Sequence, residues 1–174
     1  MSFGPNPWQQ AHWDWRAAGN FICGGAGGGL LAFTILSGTM DLAAILLLLA
    51  GLGLVGLGLL CVWLEIGRPL RAMNVFFNPG GSWMSREALV SVLLFGLGLG
   101  MVLGVRAWAA PVVVLSLAFI YCQARIVQAA KGIPAWREPL TVPLLVTTGL
   151  AEGAGLFWLA TAWQGQAGDR KSVV

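Results

Sequence analysis

Glu65, Arg68, Arg71, Arg86 and Glu87 all fall within one short stretch, residues 64–87, LEIGRPLRAMNVFFNPGGSWMSRE. Charged residues make up only 10% of the chain, so this is where chemistry is concentrated. Ionisable side chains beside a bilayer are kept where a substrate, a proton path or a partner subunit stabilises them. Glu65 and Glu87 are carboxylates that can accept a proton, and desolvation together with the guanidinium of Arg68 or Arg86 can tune each in either direction. Each charge also has a structural use. Arg68 and Arg71 can snorkel to headgroups or bind a partner, and Glu87 can cap a third helix that starts near Ser85. Asn74 and Asn78 can serve as turn residues, with Asn78-Pro79-Gly80 a strong turn signal.

The elements that must hold these groups are apolar helices. Hydrophobic residues make up 57% of the chain and the mean hydropathy is +0.79, far from the usual soluble composition. Spans of about 20 apolar residues are expected at 17–38, 42–64, 88–105, 108–128 and 141–163. The fold class is therefore an all-α integral membrane protein, a bundle of five transmembrane helices forming a single domain over 1–168. The first span lacks a basic leader and a cleavage site, so it is read as a retained helix. Many of the 25 glycines fall inside the spans: Gly24 to Gly29 as GGAGGG, Gly51 to Gly58, and Gly96, Gly100 and Gly104 at GxxxG spacing. Close helix packing is the ordinary reason, with a flat ligand against helix one as the alternative for GGAGGG. Trp8, Trp13, Trp15, Trp63, Trp83 and Trp136 mark one membrane interface, and Trp108 and Trp163 the other.

Five spans put the N-terminus, the 64–87 segment and the 129–140 connection on one side. That side carries Arg16, Arg68, Arg71, Arg86, Arg125, Lys131 and Arg137, against Arg106, Arg170 and Lys171. The positive-inside rule makes it the cytoplasmic side. The last six residues, DRKSVV, are the translation of the start of a common sequencing-library adapter. Residues 169–174 are thus expected to be an assembly scar, with the natural protein continuing past Gly168.

Several chemistries are excluded. His12 is the one histidine and precedes the first span, so a bis-histidine haem has no ligands. Cys23, Cys61 and Cys122 show no C-x-x-C pattern, so they are read as small apolar residues and no metal or iron–sulfur cluster is expected in this chain. No phosphate-binding, zinc-protease or hydrolase motif is present, and the basic balance reports topology rather than nucleic acid.

The run EIGRPLRAMNVFFNPGGSWMSRE, the later IPAWREPLT and the opening WDWRAAGNFICGGAGGGLLAF resemble the membrane-anchor subunits of DMSO reductase-type molybdopterin oxidoreductases, within the polysulfide reductase membrane-subunit group. The resemblance covers nearly all of residues 13–163. It implies a subunit without prosthetic groups that binds quinone or quinol, menaquinone or ubiquinone, in a bacterial or archaeal inner membrane. It also implies docking to a ferredoxin-like four-cluster iron–sulfur subunit, which contacts a molybdopterin catalytic subunit. Such anchors typically have eight helices, so this chain reads as a truncated one. In related anchors a histidine often stands where this chain has Glu65, and the glutamate matching Glu87 is associated with quinol binding.

Quinol oxidation releases protons and electrons, so its site needs a proton acceptor, donors for the ring oxygens and a nearby electron acceptor. On this reading Glu87 and Glu65 handle protons, while Asn20, Arg68, Arg71, Asn74, Arg86 and Tyr121 hold the quinone. Trp83, Arg125, Trp136 and Arg137 meet the partner. Tyr121, Arg125 and Gln128 share a face of helix four near its loop-side end. Glu152 lies about 16 Å into helix five at 1.5 Å per residue. It is either protonated and hydrogen-bonded between helices or part of a proton route. Two other functions fit the same composition: a small transporter or channel, against which no inverted repeat or broken-helix pair is evident, and a passive anchor without quinone chemistry.

Overall fold

The computed structural model describes residues 14–65, 69–130 and 133–171, with side chains excluded at 65, 69–72 and 164–171. Five helices are long and apolar enough to cross a membrane. They are α1 (Trp15–Leu36), α2 (Leu42–Glu65), α3 (Trp83–Val102), α4 (Ala109–Gln128) and α5 (Thr141–Lys171). Short 3₁₀ segments at Pro69–Phe77, Arg106–Trp108 and Pro134–Arg137 fill the connections. Among the described residues every regular element is helical, as a chain that must satisfy its backbone within lipid requires.

The helix ends follow local chemistry. Asp14 caps α1, its carboxylate accepting from the Arg16 backbone N–H at 2.8 Å. The Arg16 guanidinium closes on the same carboxylate at 2.7 Å and reaches the Leu64 carbonyl at 3.1 Å, tying α1 to the end of α2. Asp41 caps α2 through the Ala44 N–H at 2.8 Å. Between α1 and α2 the chain turns at Gly38, whose φ of +75° is open to glycine at little cost.

Helix α3 begins five residues before the expected start at 88, and this changes the role open to Glu87. The Asn78 side chain accepts from Gly81 N–H at 3.3 Å, and its carbonyl accepts from Ser82 N–H. This turn delivers Ser82 to the N-cap position. Ser85 and Glu87 therefore sit within the helix and are buried, so the capping role is excluded. Their polarity suggests a helix boundary, whereas the turn chemistry of Asn78-Pro79-Gly80-Gly81 sets it.

Helix α1 is central, packing on α2, α4 and α5, while α3 closes the bundle against α4 and α2. Leu31, Leu48, Leu52, Val55, Leu94, Met101, Val112 and Phe119 form a core where α1, α2, α3 and α4 meet. All six residues of GGAGGG are buried. A Cβ on Gly27 would stand 2.7 Å from the Gly51 carbonyl oxygen of α2, and one on Gly28 would stand 2.9 Å from Ile120 of α4. One on Gly29 would run into the backbone of Gly149 and Gly153 of α5. The glycine run is thus the surface on which three helices approach α1, rather than a platform for a flat ligand. The Gly96, Gly100 and Gly104 series makes no helix seam among the described residues: Gly96 faces open space, Gly100 receives the Trp108 indole, and Gly104 ends the helix at φ +101°. Spacing alone does not say what lies opposite.

Candidate functional site

The loop-side third of the bundle gathers the unusual polar groups. Asn20 lies about 8 Å into α1, Glu87 about 6 Å into α3 and Gln123 about 8 Å from the end of α4, at 1.5 Å per residue. These near-equal depths place them at one level. Asn20 is 2% exposed, Gln123 3% and Glu87 4%. Gln123 Nε2 donates to the Asn20 backbone carbonyl at 3.1 Å and contacts Asn20 Oδ1 at 3.4 Å. Glycines make the room: a Cβ at Gly24 would overlap the Gln123 amide, and one at Gly58 would lie 2.9 Å from the Asn20 carbonyl oxygen.

The side-chain amides of Gln123 and Asn20 are the polar groups that face the Glu87 carboxylate. Glu87 Oε1 has no hydrogen-bond partner among the described residues. A buried carboxylate oxygen left without a donor is costly, and proteins retain such groups mainly where a ligand or proton completes them. Elsewhere in the bundle, polar side chains turn back on their own helix. Thr34 donates to Leu30, Ser91 to Ala88 and Ser116 to Val112, each at 2.8 Å.

Directly above, at the loop-side end of α3 and α4, Trp83 is flanked by two guanidinium groups. Arg86 lies 4.2 Å and Arg125 4.8 Å from its ring centroid, and the Tyr121 ring meets it edge-on at 5.8 Å. Arg86 is further held by the Pro79 and Gly80 carbonyls at 2.8 and 2.9 Å. Arg125 donates to Gln128 at 2.8 Å, and Gln128 donates to the Glu138 carbonyl at 3.3 Å. These two arginines thus lock the α3–α4 end, and neither forms an ion pair with Glu87 among the described residues.

The other expected site residues are placed as follows. Asn74 is exposed on the Pro69–Phe77 segment, and Arg71 lies on the same segment with its side chain outside the described set. Glu65 ends α2, its side chain likewise undescribed, and Arg68 lies outside the described residues. Tyr121 is half exposed and turned to Trp83 rather than to Asn20. Trp136 lines a crevice of about 420 Å³ with Asp14, Ala17, Phe21, Val127 and Leu145, while Arg137 is exposed. Glu152 is half-buried on α5 and lines a smaller cavity of about 90 Å³ with Gln123 and Thr148. Cys122 is buried, whereas Cys23 and Cys61 are only partly so.

Gln123 is the residue that sequence reasoning missed. The apolar run of helix four offered one signal, an amide in its interior on a different face from Tyr121, Arg125 and Gln128. Only its packing against α1 shows what the amide holds.

Known proteins resemble the chain along most of its length. A family model described as DMSO reductase anchor subunit (DmsC) matches residues 18–170. The C subunit of the sulfite dehydrogenase of Allochromatium vinosum is 31% identical over 154 residues, covering 74% of this chain. The match spans 43% of that relative, so the chain corresponds to less than half of its length. No solved structure matches the chain.

Proposed function

The chain belongs to the DMSO reductase anchor subunit family, and from that premise we propose that it anchors a molybdopterin and iron–sulfur oxidoreductase to the membrane and binds quinone or quinol at Glu87. The observation that carries this reading is the Glu87 carboxylate, buried at the loop-side level with Oε1 free and two amides facing it. When quinone binds, it supplies the exchange of two electrons and two protons. The chain's own residues supply the surroundings. Glu87 takes up or returns a proton at Oε1, and the Asn20 and Gln123 side chains, fixed by their mutual contact, offer amide groups to ring oxygens. Excluding water from this level preserves the strength of those contacts.

Neither haem nor cluster ligands are expected in this chain, so electrons pass to a partner. The loop-side face carries the Trp83, Arg86 and Arg125 stack and the Trp136–Arg137 segment. This is the surface offered to a ferredoxin-like iron–sulfur subunit, itself joined to the molybdopterin subunit. The concentration of arginine and lysine there faces it to the cytoplasm of a bacterial or archaeal cell.

The test is Glu87→Gln in the assembled complex, which keeps size and hydrogen bonding but removes the base. Quinone-linked turnover falls about 100-fold or more, the contribution of a general base, while activity with an artificial dye on the soluble subunits survives. Unchanged quinone-linked turnover in an assembled complex would leave a passive anchor as the better description.

A further inference from the structure

Helix α5 carries two faces that include small residues, and the bundle uses one of them. Gly149 and Gly153 bring it against Gly25 and Gly29 of α1, where an added Cβ would meet the backbone of the other helix. On the other face Leu144, Thr148, Ala151, Gly155, Trp158 and Ala162 recur at alternating steps of four and three residues, the repeat by which two helices stay in contact. All six are exposed. Small residues dominate this stripe, as they do in helix seams within lipid, yet nothing lies within 4 Å of a Cβ built on Gly155. Of the five spans α5 is the least buried. Between the two faces stands Glu152, at the centre of the Thr141–Trp163 span. Its carboxyl reaches the edge of the α1 seam, where a Cβ on Gly25 would lie 3.9 Å from Oε2, and it borders a half-open cavity of about 90 Å³ between α4 and α5. Thr147, Thr148 and Thr161 satisfy their hydroxyls on carbonyls of α5 itself, at 2.8, 2.9 and 3.0 Å. Glu152 has no such bond and no ion pair among the described residues. Ionisable groups at that depth face a bundle interior and are paired, so the five described helices do not complete the surroundings of Glu152.

We propose that the open face of α5 seats a further transmembrane helix of the same polypeptide, and that this helix donates a hydrogen bond to the Glu152 carboxyl from a polar side chain at mid-bilayer depth. The Allochromatium relative has more than half of its length outside the match, enough polypeptide for helices of this kind. Consecutive helices usually lie side by side, as α1 with α2 and α3 with α4 do here, so a helix following α5 falls on its open face. Ala151 and Gly155 let the backbone of that helix come close. A carboxyl bonded between helices then fixes the rotation of the incoming helix, because only one register brings the donor to Glu152. Glu152 is on this account a structural acid rather than a step in a proton route. The inference holds whichever group handles the protons of quinone.

The experiment uses the full chain assembled in its own membrane, with photo-leucine in place of leucine as the probe. After irradiation, cross-links from Leu144 and Leu159 are mapped by mass spectrometry. Leu144 lies on the open face and Leu159 beside it, 64% and 71% exposed. A cross-link from either to an apolar segment of the same polypeptide outside the five helices supports the proposal. Cross-links to a second copy of this chain or to another subunit, or adducts to lipid alone, overturn it. Melting of the same assembled protein tests the hydrogen bond. Glu152→Leu should lower the melting temperature by about 2 °C or more on the scale of soluble chains, with Glu152→Gln, which still accepts the bond, falling between. If Glu152→Leu melts at or above the wild type, the carboxyl faces lipid and the proposal fails. Should the leucine variant not assemble, the photo-leucine result on the unaltered protein decides.

Discussion

Replacing Gly27 and Gly53 by alanine, one at a time, separates packing from helix propensity within the α1–α2 pair. A Cβ on Gly27 would stand 2.7 Å from the Gly51 carbonyl oxygen, 2.8 Å from the Val55 N and 2.9 Å from the Leu54 Cβ, whereas ordinary contact begins at 3.4 Å. The first two are backbone atoms of α2, which cannot rotate aside, so the helices must part by about 0.7 Å at that level. Overpacking of this kind costs about 1–3 kcal/mol. Alanine also gains up to about 1 kcal/mol over glycine in a helix interior. At Gly53 nothing lies within 4 Å, so that variant shows the propensity gain alone. The two should therefore differ by about 1–3 kcal/mol, with Gly27→Ala the less stable. Cys122 is buried in the folded chain, so a thiol-reactive dye in detergent reports melting. On the scale of soluble chains of this length, the gap is at least about 2 °C. Equal melting of the two variants would refute the claim that the glycine run is a helix-packing surface and would return the flat-ligand reading.

Further outcomes follow from particular contacts. Gln123→Leu removes the side-chain donor to the buried Asn20 carbonyl and should cost about 0.5–1.5 kcal/mol, seen as a lower melting temperature in the same assay. Trp83→Leu removes two cation–π contacts worth about 0.5–1 kcal/mol each at partly exposed positions. Trp83→Phe should retain part of that stability when the two are melted side by side. The Arg16 side chain and backbone N–H hold the Asp14 carboxyl below the usual carboxylate range. Because the folded value is the lower one, the contribution of Asp14 to the start of α1 is complete at neutral pH and lost as pH falls through that lowered value. Hydrogen exchange at residues 15–18, measured against Asp14→Asn at each pH, should show the two proteins converging in acid.

Much of the architecture was legible because hydropathy is a local property. Spans of apolar residues marked all five helices, and the Asn78-Pro79-Gly80 signal marked the turn that starts α3. The same local view misplaced the beginning of α3, because Ser85 and Glu87 look like boundary residues when nothing shows what covers them. It also credited Gly96, Gly100 and Gly104 with a seam they do not form, since spacing reports which glycines share a face and not what that face meets.

The sequence by itself determined the class of molecule, the side on which charge gathers and the candidacy of Glu87, since those depend on composition and on distance along the chain. Only the tertiary structure decided that the Glu87 carboxylate is buried and what surrounds it. Asn20 and Gln123 are 103 positions apart and meet through the Gln123 amide, which donates to the Asn20 backbone carbonyl and side-chain oxygen, and Glu152 shares its cavity with residues of α1 and α4 as well as of its own helix. Such pairings arise from how small residues let particular helix faces approach, a property of two segments at once that neither segment carries alone.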